Sequence, residues 1–171
     1  MNTVPFKFCD SVVGSIQILR RRDYNDSVRL GRQWKAAFND HVEHRVVVNV
    51  DVDYDSRSKA WLYNIRNISV SANGERRFSI DTLRKIDRKF LRICEISIGT
   101  VILPALTSTT TIGEIERLLK FIAPCFNRST LFLENLIGAD DEEICQQILA
   151  PLSHVQFSEI IQSIYRTDYS E

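Results

Sequence analysis

Asp51-Val-Asp-Tyr-Asp55 places carboxylates at alternate positions, as the first half of a calcium-binding loop does. The second half is absent. Ser56 stands where the tight turn requires glycine, and Leu62 where a bidentate Glu would close the shell. His41 and His44 have a spacing that could serve a metal from one helix, but no third cluster of His, Cys or Asp accompanies them, so they read as surface or capping histidines. Cys9, Cys94, Cys125 and Cys145 form no CxxC pair and lie in apolar stretches, as reduced, buried small hydrophobes do. Pairing one of them with His154 would sketch a thiol nucleophile, although most chains offer such a pair. No GxSxG, GxGxxG or Walker loop occurs. The expectation is a non-enzymatic protein that holds neither metal nor cofactor, with a thiol enzyme as the weaker alternative.

The elements that would carry these residues change period along the chain. Residues 1–45 read as helical: Thr3 can cap, Pro5 suits a first turn, and Phe8, Cys9, Val12, Val13 and Ile16 recur at helical spacing. After the polar stretch from Arg20 to Asp26, Leu30, Trp34, Phe38 and Val42 recur at steps of four with Ala37 alongside, so two helices pack together. Val48, Val50, Val52 and Tyr54 then alternate with Asn49, Asp51 and Asp53, a strand with one wet face. A turn at 55–59 leads to a return strand in which Trp61, Tyr63 and Ile65 alternate with Leu62, Asn64 and Arg66. Asn73-Gly74 signals a further turn.

The remainder alternates helix and strand. Ser79 caps a helix holding Leu83, Ile86 and Phe90, followed by a strand at 91–98. Thr111 and Glu114 form a capping box for a helix with Ile115, Leu118, Leu119 and Ile122, followed by a strand at 129–135. Asp140 and Glu143 start a helix that Pro151 stops, and residues 154–161 close the series as a strand. Helix–strand units that bury their faces only by stacking imply an irregular solenoid or a parallel sheet.

The 22 Lys+Arg cancel the 22 Asp+Glu, which disfavours a uniformly basic nucleic-acid binder. The balance hides a dipole: residues 1–92 carry 18 basic against 11 acidic side chains, a formal +7, and residues 93–171 carry 4 against 11, a formal −7. No stretch is apolar for long enough to span a membrane, and the first residues lack a signal-peptide pattern, so the expected location is the cytoplasm, with the nucleus as alternative.

Val4-Pro5 at the head of the first helix, the face Phe8, Val12, Val13 and Ile16, and the later Leu30-Gly-Arg-Gln-Trp34-Lys-Ala-Ala-Phe38 together resemble a divergent F-box over residues 3–45. Val4 replaces the usual Leu of that motif, and Arg20 to Asp26 is polar where a Leu-rich second helix is common. The run Leu83-x-x-Ile-x-x-Lys-Phe-Leu-x-Ile93 is similar to segments of the recognition domains in the expanded nematode F-box families. The resemblance implies an α+β or α/β chain: an F-box-like helical module at 1–45, then at 46–171 a recognition domain with a β-hairpin and irregular, leucine-rich-repeat-like helix–strand units. It also implies a substrate-recognition subunit of a cullin-RING ubiquitin ligase whose partners are a Skp-type adaptor and an unidentified target protein. The adaptor contact would use Val4, Pro5, Phe8, Val12 and Trp34, with Arg20, Arg21 and Arg22 steering toward an acidic surface. The alternative is a stand-alone binding or inhibitory protein in which the F-box-like helices are structural only. The short stretch after Val155 implies an exposed last sheet edge.

Overall fold

A computed structural model of the protein describes residues 4–16, 31–55, 58–69, 76–99, 108–134 and 146–163. In chain order these form α1 (Phe6–Ser15), α2 (Arg32–His44), β1 (Val46–Asp55), β2 (Ala60–Asn67), β3 (Arg76–Arg77), α3 (Ile80–Arg84), β4 (Leu91–Gly99), β5 (Ser108–Thr110), α4 (Ile112–Ile122), β6 (Phe126–Glu134) and β7 (Glu159–Ser163). Short 3-10 turns occupy Ala123–Cys125 and Ala150–Leu152.

The valine alternation in β1 does what period two requires: Val48, Val50 and Val52 are fully buried, while Asn49, Asp51 and Asp53 stay half-exposed. β1 and β2 make an antiparallel hairpin in register from Val48 opposite Asn67 to Asp55 opposite Ala60. Ser58 Oγ donates to Asp55 Oδ2 across the turn, and Lys59 adopts a left-handed φ of 52°. On its other side β1 pairs in parallel with β4, β4 with β6, and β6 with β7. The sheet order is β3-β2-β1-β4-β6-β7, with β5 also on β2. Parallel neighbours need crossovers, and α3 and α4 lie within two of them. The expected mixed α+β architecture is present in this form.

The crossover helices begin at side-chain caps. Ser79 Oγ accepts from Thr82 N at 3.1 Å and Thr111 Oγ1 from Glu114 N at 3.3 Å. From α4, Ile115, Leu118, Leu119 and Ile122 are fully buried and belong to the same main core as Val50, Ile96 and Leu131. Cys9, Val13, Ala37 and Phe38 form a separate small cluster between α1 and α2. Gly31 opens α2 at φ +100°, a conformation L side chains rarely adopt.

Several expectations are corrected. The helix after Ser79 stops at Arg84, leaving Ile86 and Phe90 outside it. Asp87 explains this: its Oδ1 accepts from Lys89 N at 2.9 Å and its carbonyl from Phe90 N at 2.9 Å, which holds the chain in a turn. β6 begins at Phe126 rather than Ser129, and the last strand is Glu159–Ser163 rather than 154–161. Residues before it are anchored instead by Val155 N donating to Leu152 O and Ser158 N to Ser129 O, with Phe157 against Phe126 at 5.4 Å. Leu62 and Asn64 are buried in β2 along with Trp61 and Ile65, and β2 is flanked by β1 on one edge and by β3 and β5 on the other. Thr3, the turn at Asn73-Gly74 and the helix start at Asp140 lie outside the described residues.

Candidate docking surface and the polar joint beneath it

Helix α1 has two unlike sides. Cys9 and Val13 are fully buried against α2, as their spacing requires. The leading end faces outward: Val4 is 42% exposed, Phe6 42% and Phe8 55%, with Pro5 exposed at the N-cap rather than inside the first turn. Val12 and Trp34 are half-buried between these regimes. Phe8 meets Trp34 edge to face, with ring centroids 6.2 Å apart at 86°. Trp34 therefore serves as a wall that supports Phe8 while packing on the small cluster. Val42, expected on the apolar face of α2, is exposed at 40%. Arg20, Arg21 and Arg22 lie outside the described residues.

Below this surface the helical pair meets the sheet through charge. α1 has no basic residue in its last turn to offset the negative end of its dipole. The cations come from elsewhere in the chain. Arg45 Nη2 donates to Val13 O at 2.8 Å and Arg45 Nη1 to Ile16 O, while Arg92 Nε donates to Gly14 O at 3.0 Å. Two guanidiniums thus cap one helix end. Lys89 Nζ lies 3.0 Å from Asp10 Oδ1 and 2.8 Å from Asp40 Oδ2, bridging α1 and α2 to the turn before β4. Its bond to Asp40 raises the Lys89 pKa and lowers that of Asp40.

His41 is the residue whose placement departs most from expectation. Read as a surface histidine, it is fully buried, with its ring against Phe90 at 5.3 Å. Its Nδ1 lies 3.2 Å from Arg45 Nη2 and its Nε2 3.2 Å from Asp10 Oδ1. Burial, followed by the nearby Arg45, pushes its pKa below the ordinary 6.5. The ring is neutral, because the Arg45 contact needs Nδ1 as an acceptor. Arg45 itself is brought down to about 10, first by burial and then by Arg92. The helical spacing of His41 with Ala37 and Phe38 carried the signal for burial. His44 is exposed, as expected.

The other candidate chemistry does not assemble. Asp51 accepts from Asn64 Nδ2 at 3.0 Å and pairs with Arg66 Nε at 3.3 Å, a cross-strand contact in the hairpin. Among the described residues no group of three or more His, Cys, Asp and Glu is placed to hold a metal. Cys9 and Cys125 are buried and Cys94 half-buried, all three free, and burial pushes the Cys94 and Cys125 thiols up, away from the reactive thiolate. Cys145 lies outside the described residues, and His154 sits in an exposed turn. Among the described residues no helix is long and apolar enough to cross a membrane. No family model matches the chain, and no curated protein or solved structure matches it.

Proposed function

We propose that the protein is a non-enzymatic interaction protein, a substrate-recognition subunit that docks on a Skp-type adaptor of a cullin-RING ubiquitin ligase through its N-terminal helices and presents residues 46–171 to a target. One observation carries this reading: Val4, Pro5, Phe6 and Phe8 are exposed together at the leading end of α1 while the rest of that helix is anchored. Apolar groups clustered on a surface mark interaction sites. The F-box resemblance assigns the adaptor contact to Val4, Pro5 and Phe8, with Val12 and Trp34 behind them. The crossover helices beside the parallel part of the mixed sheet, β1-β4-β6-β7, support assigning target binding to residues 46–171, for which the resemblance implies leucine-rich-repeat-like units. Such a protein breaks no bond of its own; it raises the effective concentration of a target near the ligase.

Co-purification of the tagged chain at moderate salt is expected to recover the adaptor, and Pro5→Ala with Phe8→Ala to abolish recovery. Intact, folded chain that brings down no adaptor would refute the reading.

The polar joint favours a second reading. Asp10, Arg45, Lys89 and Arg92 fix α1 to the sheet, as expected if the helices are structural parts of a stand-alone binding protein. Under that reading target binding is indifferent to adaptor, and the exposed end of α1 contacts the target itself.

A further inference from the structure

We propose that the cavity where α1 and α2 meet the N-terminal ends of β4 and β6 is a binding site for a phosphoryl group. The cavity has a volume of about 420 Å³ and is lined by Asp10, Ser11, His41, Arg88, Lys89 and Arg92 among others. That volume falls in the range of small-ligand sites and exceeds a bare phosphate, leaving room for whatever carries it.

The charge around the cavity is unbalanced. Of the lining residues, Arg88, Lys89 and Arg92 contribute three cations and Asp10 one carboxylate, which Lys89 engages. The excess of two positive charges matches the −1.5 to −2 that a phosphoryl group carries near neutral pH. Among the described residues, Arg45, Arg88 and Arg92 have no carboxylate partner. Arg92 donates to Gly14 O at the end of α1 and to the carbonyls of Arg88 and Leu91, and Arg45 donates to Val13 O and Ile16 O, so neither meets more than the roughly half negative charge of a helix end and neutral carbonyls. Buried cations without counter-charge are costly, and an anion between them would offset that cost.

Two further features point into the same space. The Arg88 guanidinium lies 4.6 Å from the centre of the Phe121 ring, a cation–π contact that holds it at the rim while its N–H donors remain available. His41 Nε2, fully buried in the cavity wall, makes no well-aligned hydrogen bond although Asp10 Oδ1 is 3.2 Å away. Arg45 Nε is likewise buried and unpaired behind it. Phosphate recognition by the planar Arg88 guanidinium, with the charge of Arg92 behind it and a hydroxyl such as that of Ser11 beside it, needs no other chemistry.

The test is calorimetric titration of the whole chain at fixed ionic strength with inorganic phosphate, with free O-phosphoserine, and with a serine peptide and its phosphorylated form, against sodium chloride as control. Saturable binding of phosphate is expected, weakened roughly tenfold or more in Arg88→Gln, whose side chain is exposed and whose unliganded melting temperature should fall by no more than the lost Phe121 contact accounts for. Tightest binding of O-phosphoserine would assign the site to a phosphorylated small molecule, and tightest binding of the phosphopeptide to a partner's side chain. Absence of saturable phosphate binding, or equal binding by Arg88→Gln, would overturn the proposal. Phe8→Ala is expected to bind phosphate normally, so this result and adaptor docking fail separately.

Discussion

Replacing Phe8 by alanine separates a docking group from a core group. Full burial of a phenylalanine side chain contributes about 1.5–3 kcal/mol. Phe8 is 55% exposed, so less than half of that, about 1 kcal/mol, is at stake in the free chain. Its edge-to-face contact with Trp34 adds about 0.5–1 kcal/mol. The expected loss for Phe8→Ala is therefore about 1–2 kcal/mol. Phe38 lies on the facing helix, is only 7% exposed and belongs to the small cluster, so Phe38→Ala is expected to cost about 3–5 kcal/mol. Urea denaturation followed by far-ultraviolet circular dichroism measures both, provided the slope of free energy against denaturant is unchanged. A loss for Phe8→Ala equal to that for Phe38→Ala would show Phe8 to be part of the core and would remove the basis for a docking surface.

The polar joint yields further tests. Arg45→Met removes the side-chain donor from Ile16 O and one of two donors from Val13 O, which keeps Ile16 N, while relieving a buried charge, for a net loss of about 1–2 kcal/mol, with faster hydrogen exchange confined to α1; exchange that stays unchanged there would contradict the capping role. His41 gives a pH dependence whose sign follows from its depressed pKa. The unfolded chain takes up a proton near pH 6.5 and the folded chain only at lower pH, so stability is full above pH 6.5 and falls as the pH drops from 6.5 toward the folded value. His41→Gln should flatten the portion of a melting-temperature profile below about pH 6.5, and an unaltered slope would place the titration elsewhere. Thr111→Ala removes the cap of α4 and should cost about 1 kcal/mol, whereas a neutral outcome would mean that Glu114 N finds another acceptor.

Local chemistry made parts of this fold readable from the chain. The alternation from Val48 to Tyr54, the Ser79 and Thr111 caps, and the spacing of Ile115, Leu118 and Ile122 each express a period or a hydrogen bond spanning a few residues. The polar character of His41 points to the surface, whereas its helical spacing with Ala37 and Phe38 puts it in the buried face of α2. The joint was invisible for a different reason. Arg45 reaches back 29 residues to Ile16, and Arg92 reaches 78 residues to Gly14, so no local window contains both partners. The end of α3 was misplaced because the turn built by Asp87 competes with an apolar pattern that otherwise continues to Phe90. Exposure of Phe8 was equally hidden, since its spacing with Val12 fits an inward face as well as an outward one.

Direct titration of purified Skp-type adaptor into the intact chain, alongside Phe8→Ala and Val4→Asp variants whose folding has been verified, bears most closely on the proposed role. Saturable one-to-one binding by the intact chain is expected, weakened at least tenfold in each variant, because both substitutions fall on exposed side chains and leave the joint untouched. Absence of binding by the folded intact chain, or binding by both variants as tight as that of the intact chain, would contradict docking through the leading end of α1.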